Sequence, residues 1–296
     1  MSAANDPKWE SIRPFLNLDT KKLYGSLTQE KACYILDNQF MTSLKKSIPD
    51  LPRLLQGMSE SAIILIPEEV LLEAGKNLPG KERVEELYYD FFRELSRHKT
   101  IYVTALTGIC EIVCESTAVA AALHKIRSIA IESVPTNPVI QAEIQSLALH
   151  AKEDVGQVSA CMQATGRDGG ERIVNLMALL LIGEYFGPIF VCSDDRKGIY
   201  TPYKAYQKNE KLREWIGVGG IDEFREMFQL MSFDRLLQKA VYEVECTQQE
   251  TMELLRRCRP SEKNVLYSID GLAENDELSH ERFAELLAQK RIQITF

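Results

Sequence analysis

Aspartate and glutamate recur in this chain at four places where an apolar run stops or a helix opens. These are Tyr34-Ile-Leu-Asp37, Ile66-Pro-Glu-Glu-Val-Leu-Leu-Glu73, Gly170-Glu171-Arg-Ile-Val-Asn175 and Val191-Cys-Ser-Asp194-Asp195-Arg196. Carboxylates gathered at one edge of a sheet repel one another, and a divalent cation offsets that repulsion. Such all-oxygen sites suit Mg²⁺ or Mn²⁺, whose usual work there is to cut or transfer phosphodiesters.

The elements that must position these acids follow from hydrophobic patterning. Lys31–Leu36, Ala62–Ile66, Thr100–Thr104 and Pro188–Cys192 are short apolar or β-branched runs, read as buried parallel strands. Helices are predicted between them: 38–47, 51–58, from Pro67 to about Gly75, and Glu82–Arg97, whose apolar residues recur at 3,4 spacing. A helical insertion is predicted over about 106–165, as a stretch to 132 and another from 138 to 163, with a loop from Thr165 to Gly170. The apolar helix 171–186 and the fourth strand follow. Beyond them lie helices at 205–215, 221–229, 233–243, 247–257 and 279–289, and Arg291–Phe296 alternates as a final edge strand. The expected fold is a three-layer α/β/α arrangement around a mostly parallel sheet. Its expected parts are an arm (1–30), a core domain (31–204) and a helical C-terminal extension (205–296), packed on the core or apart from it.

In a parallel sheet, ligands bind beyond the carboxyl ends of the strands. Asp37 follows the first strand and Asp194 and Asp195 follow the fourth, while the acids after Pro67 project from the start of the next helix and Glu171 opens its own. Over residues 31–197 the order and spacing of the motifs resemble the PIN-domain family of metal-dependent nucleases, which includes toxins of bacterial toxin–antitoxin modules. The matching features are a strand ending in Asp37, Pro67 followed by Glu73, Gly170-Glu171 opening an apolar helix, and Ser193-Asp194-Asp195-Arg196 closing a strand. The resemblance implies a PIN-like fold and an endoribonuclease in which Asp37, Glu73, Glu171 and Asp195 hold Mg²⁺ or Mn²⁺, with Asp194 beside them. The chain departs from the family at Asn38-Gln39, where Thr or Ser and then Asn are usual, in the length of its insertion, and in carrying residues 201–296.

Each acid also has a structural role open to it. Asp37 suits the N-cap of the next helix. Glu68 and Glu69, in a first helical turn, favour the helix dipole and are read as structural. Glu171 suits the same role, and Asp194-Asp195-Arg196 a solvated turn. Glu73 lies a turn farther on and has less structural reason for its place.

The net charge of −8 argues against a general nucleic-acid coating protein. Arg196–Arg213 nevertheless holds six Lys and Arg against one acid. There Tyr200, Tyr203 and Tyr206 interleave with Lys197, Lys204 and Lys208, a mixture that suits single-stranded nucleic acid. With Asn38 and Arg196, the residues Lys197, Tyr200, Tyr203, Lys204 and Lys208 are the expected substrate contacts, and a solvated helix with inward tyrosines is the competing account. RNA or single-stranded nucleic acid is the expected partner, and the chain's acidic balance and helical C-terminal third suit a regulatory protein partner or self-association. A PIN-like module that binds without cutting is the alternative function. A haloacid-dehalogenase-type phosphatase needs Asp-x-Asp after the first strand, and Asp37-Asn38-Gln39 lacks it.

The seven cysteines show no metal-ligand spacing, and Cys110 and Cys114 are read as buried thiols rather than a zinc pair. The four histidines, His98, His124, His150 and His280, follow no catalytic pattern. No run is long and apolar enough for a membrane span, and the N-terminus lacks the pattern of a secretory signal. The chain therefore reads as cytoplasmic and reduced.

Overall fold

The computed structural model describes residues 9–29, 31–76, 84–115, 117–164, 168–184 and 186–296. Residues 1–8 and 30 of the expected arm, the start of the Glu82–Arg97 helix and residues 165–167 of the loop before Gly170 lie outside the described residues. Trp9 and Ile12 are buried, which ties the arm to the core. Its helix α1 (Thr20–Leu27) is capped by Asp19, whose carboxylate accepts the N–H groups of Lys21 and Lys22.

The chain then alternates through β1 (Cys33–Leu36), α2 (Asn38–Lys46), α3 (Leu51–Leu54), β2 (Ile63–Pro67), α4 (Glu68–Lys76), α5 (Val84–Leu95) and β3 (Thr100–Thr104). Four helices follow: α6 (Leu106–Glu115), α7 (Val119–Glu132), α8 (Pro138–Ser146) and α9 (Val155–Gln163). Next come α10 (Gly169–Gly183), β4 (Ile189–Cys192), a π-helical turn (Arg196–Tyr200), α11 (Thr201–Lys208), α12 (Glu210–Trp215), α13 (Ile221–Met227) and β5 (Phe228–Met231). The C-terminal part holds α14 (Phe233–Val244), α15 (Gln248–Cys258), β6 (Glu262–Ile269), β7 (Leu272–Ser279), α16 (His280–Ala288) and β8 (Ile292–Ile294).

Five strands form one all-parallel sheet in the order β3-β2-β1-β4-β5, flanked by helices. Central β1 sets Cys33 opposite both Ile63 and Ile189. The strands β1, β2 and β4 are buried at every position, as a sheet covered on both faces requires. Helix α10 packs against β1, β2, β4 and β5, and also against α6, α7 and α9. Every residue from Ile173 to Gly183 is buried, which explains why this helix is apolar all round. Tyr34 and Phe190, side by side in register, stack with ring centres 4.4 Å apart. Lys239 of α14 lies 5.3 Å from the Phe190 ring, so α14 covers that face.

The C-terminal third departs from the helical extension expected. Its predicted helices are present, with 205–215 divided at Asn209, which caps α12. Residues 228–231, expected at a helix end, extend the parallel sheet as β5. An antiparallel sheet of order β7-β6-β8 closes the chain, with the expected C-terminal strand at its edge. Strand β7 is hard to read from sequence because it is almost wholly exposed and rich in acids. The hairpin signal is the turn Asp270-Gly271, both residues at positive φ, 51° and 85°. Buried residues from this sheet, including Val265, Leu278 and Ile294, join the same hydrophobic core as the parallel sheet. Among the described residues no helix is long and apolar enough to cross a membrane.

Candidate functional site

Asp37 ends β1 and caps α2. Its Oδ1 accepts the Phe40 N–H at 2.6 Å, satisfying an amide that the helix itself leaves open. Its Oδ2 is buried with no hydrogen-bond partner. The structural and functional readings of this residue thus fall on different oxygens of one carboxylate.

Glu171 opens α10 and Asp195 follows β4, and the two meet around Gly198. A Cβ on Gly198 would stand 2.7 Å from Glu171 Cγ and 3.3 Å from Asp195 Oδ2. Asp195 Oδ1 caps the π-helical turn by accepting the N–H groups of Lys197 and Gly198, at 2.7 and 2.9 Å. Glu73, on α4, reaches the start of α10: a Cβ on Gly170 would lie 2.6 Å from Glu73 Oε2. Both glycines therefore sit where a side chain would displace an acid.

The electrostatics tie these residues into one group. Burial pushes the Asp37 carboxyl up to about 7. The Ser193 hydroxyl beside the carboxyl and the Phe40 N–H pull it down, while the charges of Asp194 and Glu171 push it further up. Glu171 is also raised, first by burial, against the pull of its own backbone N–H, and then by Glu73, Asp195 and Asp168. Desolvated carboxylates that repel one another mark a place where positive charge is favoured. Arg172 is one nearby cation, acting electrostatically on Asp168, Glu171 and Glu73, with its Nε donating to the Met162 carbonyl at 2.6 Å.

The donor chemistry suits Mg²⁺ or Mn²⁺, since every group is a carboxylate and one oxygen is orphaned. Among the described residues no group of three or more His, Cys, Asp and Glu side chains is already set as a shell for one ion. Mg²⁺ does not require such a shell, because it is commonly held through one or two carboxylates and keeps several waters. The residues fit that looser mode.

The two oxygens of Asp194, expected beside the metal, are engaged elsewhere. Oδ1 accepts the Phe233 N–H at the start of α14 (2.9 Å), and Oδ2 pairs with Lys263 (3.0 Å). Glu69 also serves the scaffold, its Oε1 accepting the Leu106 N–H at 3.1 Å and the Ser159 hydroxyl at 3.2 Å. Asn38 is the first residue of α2, next to Asp37.

The expected substrate contacts divide. Lys197, Lys204 and Lys208 are exposed, and Tyr200 and Tyr203 half-buried. Arg196 is held by the C-terminal hairpin, donating to Asn275 Oδ1 and the Asn264 carbonyl. Tyr206 is fully buried with its hydroxyl on the Ser133 carbonyl, so it belongs to the core.

Sequence reasoning missed several supports. Asn175, one turn after Glu171, donates from Nδ2 to the Gly198 carbonyl at 2.8 Å, and its buried Oδ1 has no partner. Its i+4 spacing from Glu171 in an apolar helix was the available signal. The fully buried Ser193 accepts the Asp195 N–H at 2.9 Å. Lys263 comes from a distant hairpin and left no local signal. All seven cysteines are free, with Cys110 and Cys114 buried. Comparison of the chain with protein-family models, with curated proteins and with solved structures finds no match.

Proposed function

We propose that this chain is a Mg²⁺- or Mn²⁺-dependent nuclease of PIN-like type that cuts single-stranded RNA. The observation that carries the reading is the buried, unpartnered Oδ2 of Asp37 in electrostatic reach of Glu171, which in turn faces Glu73 and Asp195. This group lies at the carboxyl edge of a parallel sheet, where such folds bind ligands. The order of the four motifs supports the same reading.

Asp37, Glu171, Asp195 and Glu73 are the proposed ligands, and a bound divalent ion would acidify a coordinated water and offset charge on the phosphate. Asp195 Oδ1 and Asn175 together hold the π-helical turn, one through two N–H groups and the other through the Gly198 carbonyl. Asp195 Oδ2 takes no part in those bonds and, with Glu171, borders the space over Gly198. Exposed Lys197 stands beside Asp195 to meet substrate phosphate.

The test is incubation of an RNA and single-stranded DNA panel with Mn²⁺, with EDTA, and with Asp37→Asn. We expect RNA cleavage in Mn²⁺, none in EDTA, and a fall of about 100-fold or more for Asp37→Asn. Cleavage surviving both EDTA and the substitution refutes the metal mechanism. The ion pair that engages Asp194 favours a second reading, a PIN-like binding module, which absence of cleavage on every substrate would select.

A further inference from the structure

Beside the acidic group, but not part of it, lies a cavity of about 440 Å³ at the β5 edge of the parallel sheet, into which Tyr200, Tyr203, Lys204, Arg225 and Arg235 face. Its lining holds three cations and no carboxylate; the amides of Gln207, Gln229 and Gln293 complete the polar wall. Among the described residues, two of the cations have no carboxylate partner. Arg235 is largely buried, donates to the Leu230 carbonyl, and forms no ion pair among the described residues. Lys204 is exposed and lies 6.0 Å from the Tyr200 ring. Arg225 pairs with the exposed Asp222 at 3.2 Å and donates to Gln207 Oε1 at 3.4 Å. A guanidinium held out of water without an acid is costly, and an incoming anion relieves that cost.

The rings narrow the ligand class. Tyr203 packs edge-on to Phe228, with centroids 5.4 Å apart, and Tyr200 stacks on Phe296 at 5.2 Å, so both are held in place. Fixed rings between cations suit a phosphate that carries a base, since guanidinium groups bind phosphate in a planar fork and rings stack on bases. The cavity volume falls in the range of small-ligand sites. The cavity and the acidic group share one stretch of chain: the Tyr200 N–H donates to the Asp195 carbonyl at 3.3 Å, and Lys204 lies about 6 Å farther along the helix from Tyr200.

We propose that this cavity binds the phosphate and base of a nucleotide, with Arg235 and Lys204 on the phosphate and Tyr200 or Tyr203 on the base. The proposal rests on the nucleic-acid reading of the acidic group for the identity of the ligand, but not on cleavage.

Binding is measured in EDTA on the full chain, by anisotropy of a 5′-labelled hexa-adenylate, with AMP and inorganic phosphate as competitors. Arg235→Gln and Lys204→Gln should each weaken binding about tenfold, while Lys211→Gln, a basic residue outside the cavity, should change it by less than about twofold. Lys204 is exposed, so its variant keeps the proposal testable if Arg235→Gln fails to fold. AMP binding as tightly as the hexamer identifies a free nucleotide, and a much tighter hexamer identifies a strand; either supports the site. The proposal is overturned if neither ligand binds at millimolar concentration, if Lys211→Gln weakens binding as much as the cavity variants, or if folded cavity variants bind like the parent. Binding without cleavage in Mn²⁺ removes the nuclease reading and leaves this one. Cleavage with unaltered affinity in both cavity variants does the reverse.

Discussion

Asp37 can be both a helix cap and a member of the acidic group because a carboxylate has two oxygens. From sequence the two roles compete, since a strand-ending Asp before a helix supports either. The burial of Oδ2 makes the functional role costly without a cation. In the metal-free protein the folded state holds a proton on Asp37 up to about pH 7, while the unfolded chain releases it near 3.8. Stability that depends on the neutral form is therefore full below about pH 4 and is lost as pH rises through about 7. The charged groups acting on Asp37 are Asp194 and Glu171, and both make its ionisation harder. Asp37→Asn stays neutral and keeps an acceptor for the Phe40 N–H. In EDTA we expect the variant to match the parent near pH 4 and to be more stable at pH 8.5, with about 4 kcal/mol as a ceiling. Urea midpoints across pH measure this, and a difference that does not change with pH rejects the assignment. Added Mn²⁺ should stabilise the parent more than the variant. The neighbouring acids show the limit of local reading. Nothing in Ser193-Asp194-Asp195-Arg196 says which aspartate faces the group, because Asp194 is turned away by Phe233 and Lys263, which arrive from later elements.

Among the elements, β1 to β4 were legible because each is a short apolar or β-branched run, and three of them, β1, β2 and β4, lead into the acids. Strand β5 was not, because four residues wedged between α13 and α14 continue the helical spacing of their neighbours. The π-helical turn after β4 was also hidden, since it depends on Asp195 capping Lys197 and Gly198 while Asn175 holds the same turn from α10. Gly198 marks how tightly these elements meet: an added Cβ would stand 2.9 Å from Glu171 Cβ and 2.7 Å from its Cγ. Gly198→Ala should destabilise the fold by about 1–3 kcal/mol and displace Glu171. Gly25, inside α1, would meet nothing within 4 Å of an added methyl group, so Gly25→Ala should stabilise by about 0.5–1 kcal/mol. Thermal unfolding with and without Mn²⁺ separates the two effects. Gly198→Ala should lose most of the metal-induced rise in Tm and Gly25→Ala should keep it. A Gly198→Ala protein with an unchanged metal response would mean that the Glu171–Asp195 approach does not serve an ion.

Across the whole molecule, the C-terminal hairpin reaches back to the carboxyl edge of the parallel sheet. Lys263 of β6 bridges Asp194 at 3.0 Å and Asp234 at 3.1 Å, and Asp234 is also paired with the fully buried side chain of Arg259 at 2.7 Å. One lysine thereby neutralises an aspartate next to the acidic group, and holds the antiparallel sheet, α14 and the end of β4 together. Burial of Arg259 and Asp234 makes this network sensitive to the loss of one partner, because an uncompensated charge remains inside. Lys263→Met leaves Asp194 Oδ2 without its cation, while Asp234 keeps Arg259. We expect a loss of about 2 kcal/mol, less than for a fully buried pair because Lys263 is partly exposed. Asp194→Asn alone should cost less, since its amide oxygen can still accept the Phe233 N–H. In the double variant the stranded charge is gone, so the two losses should not add. A coupling of about 1 kcal/mol or more in the double-mutant cycle, measured by urea unfolding, is the expected result. Strict additivity would mean that the hairpin only lies against the sheet and does not set the charge at its edge. If coupling is found, Lys263→Met should also raise the apparent affinity for Mn²⁺, because Asp194 then adds an uncompensated negative charge beside Asp37.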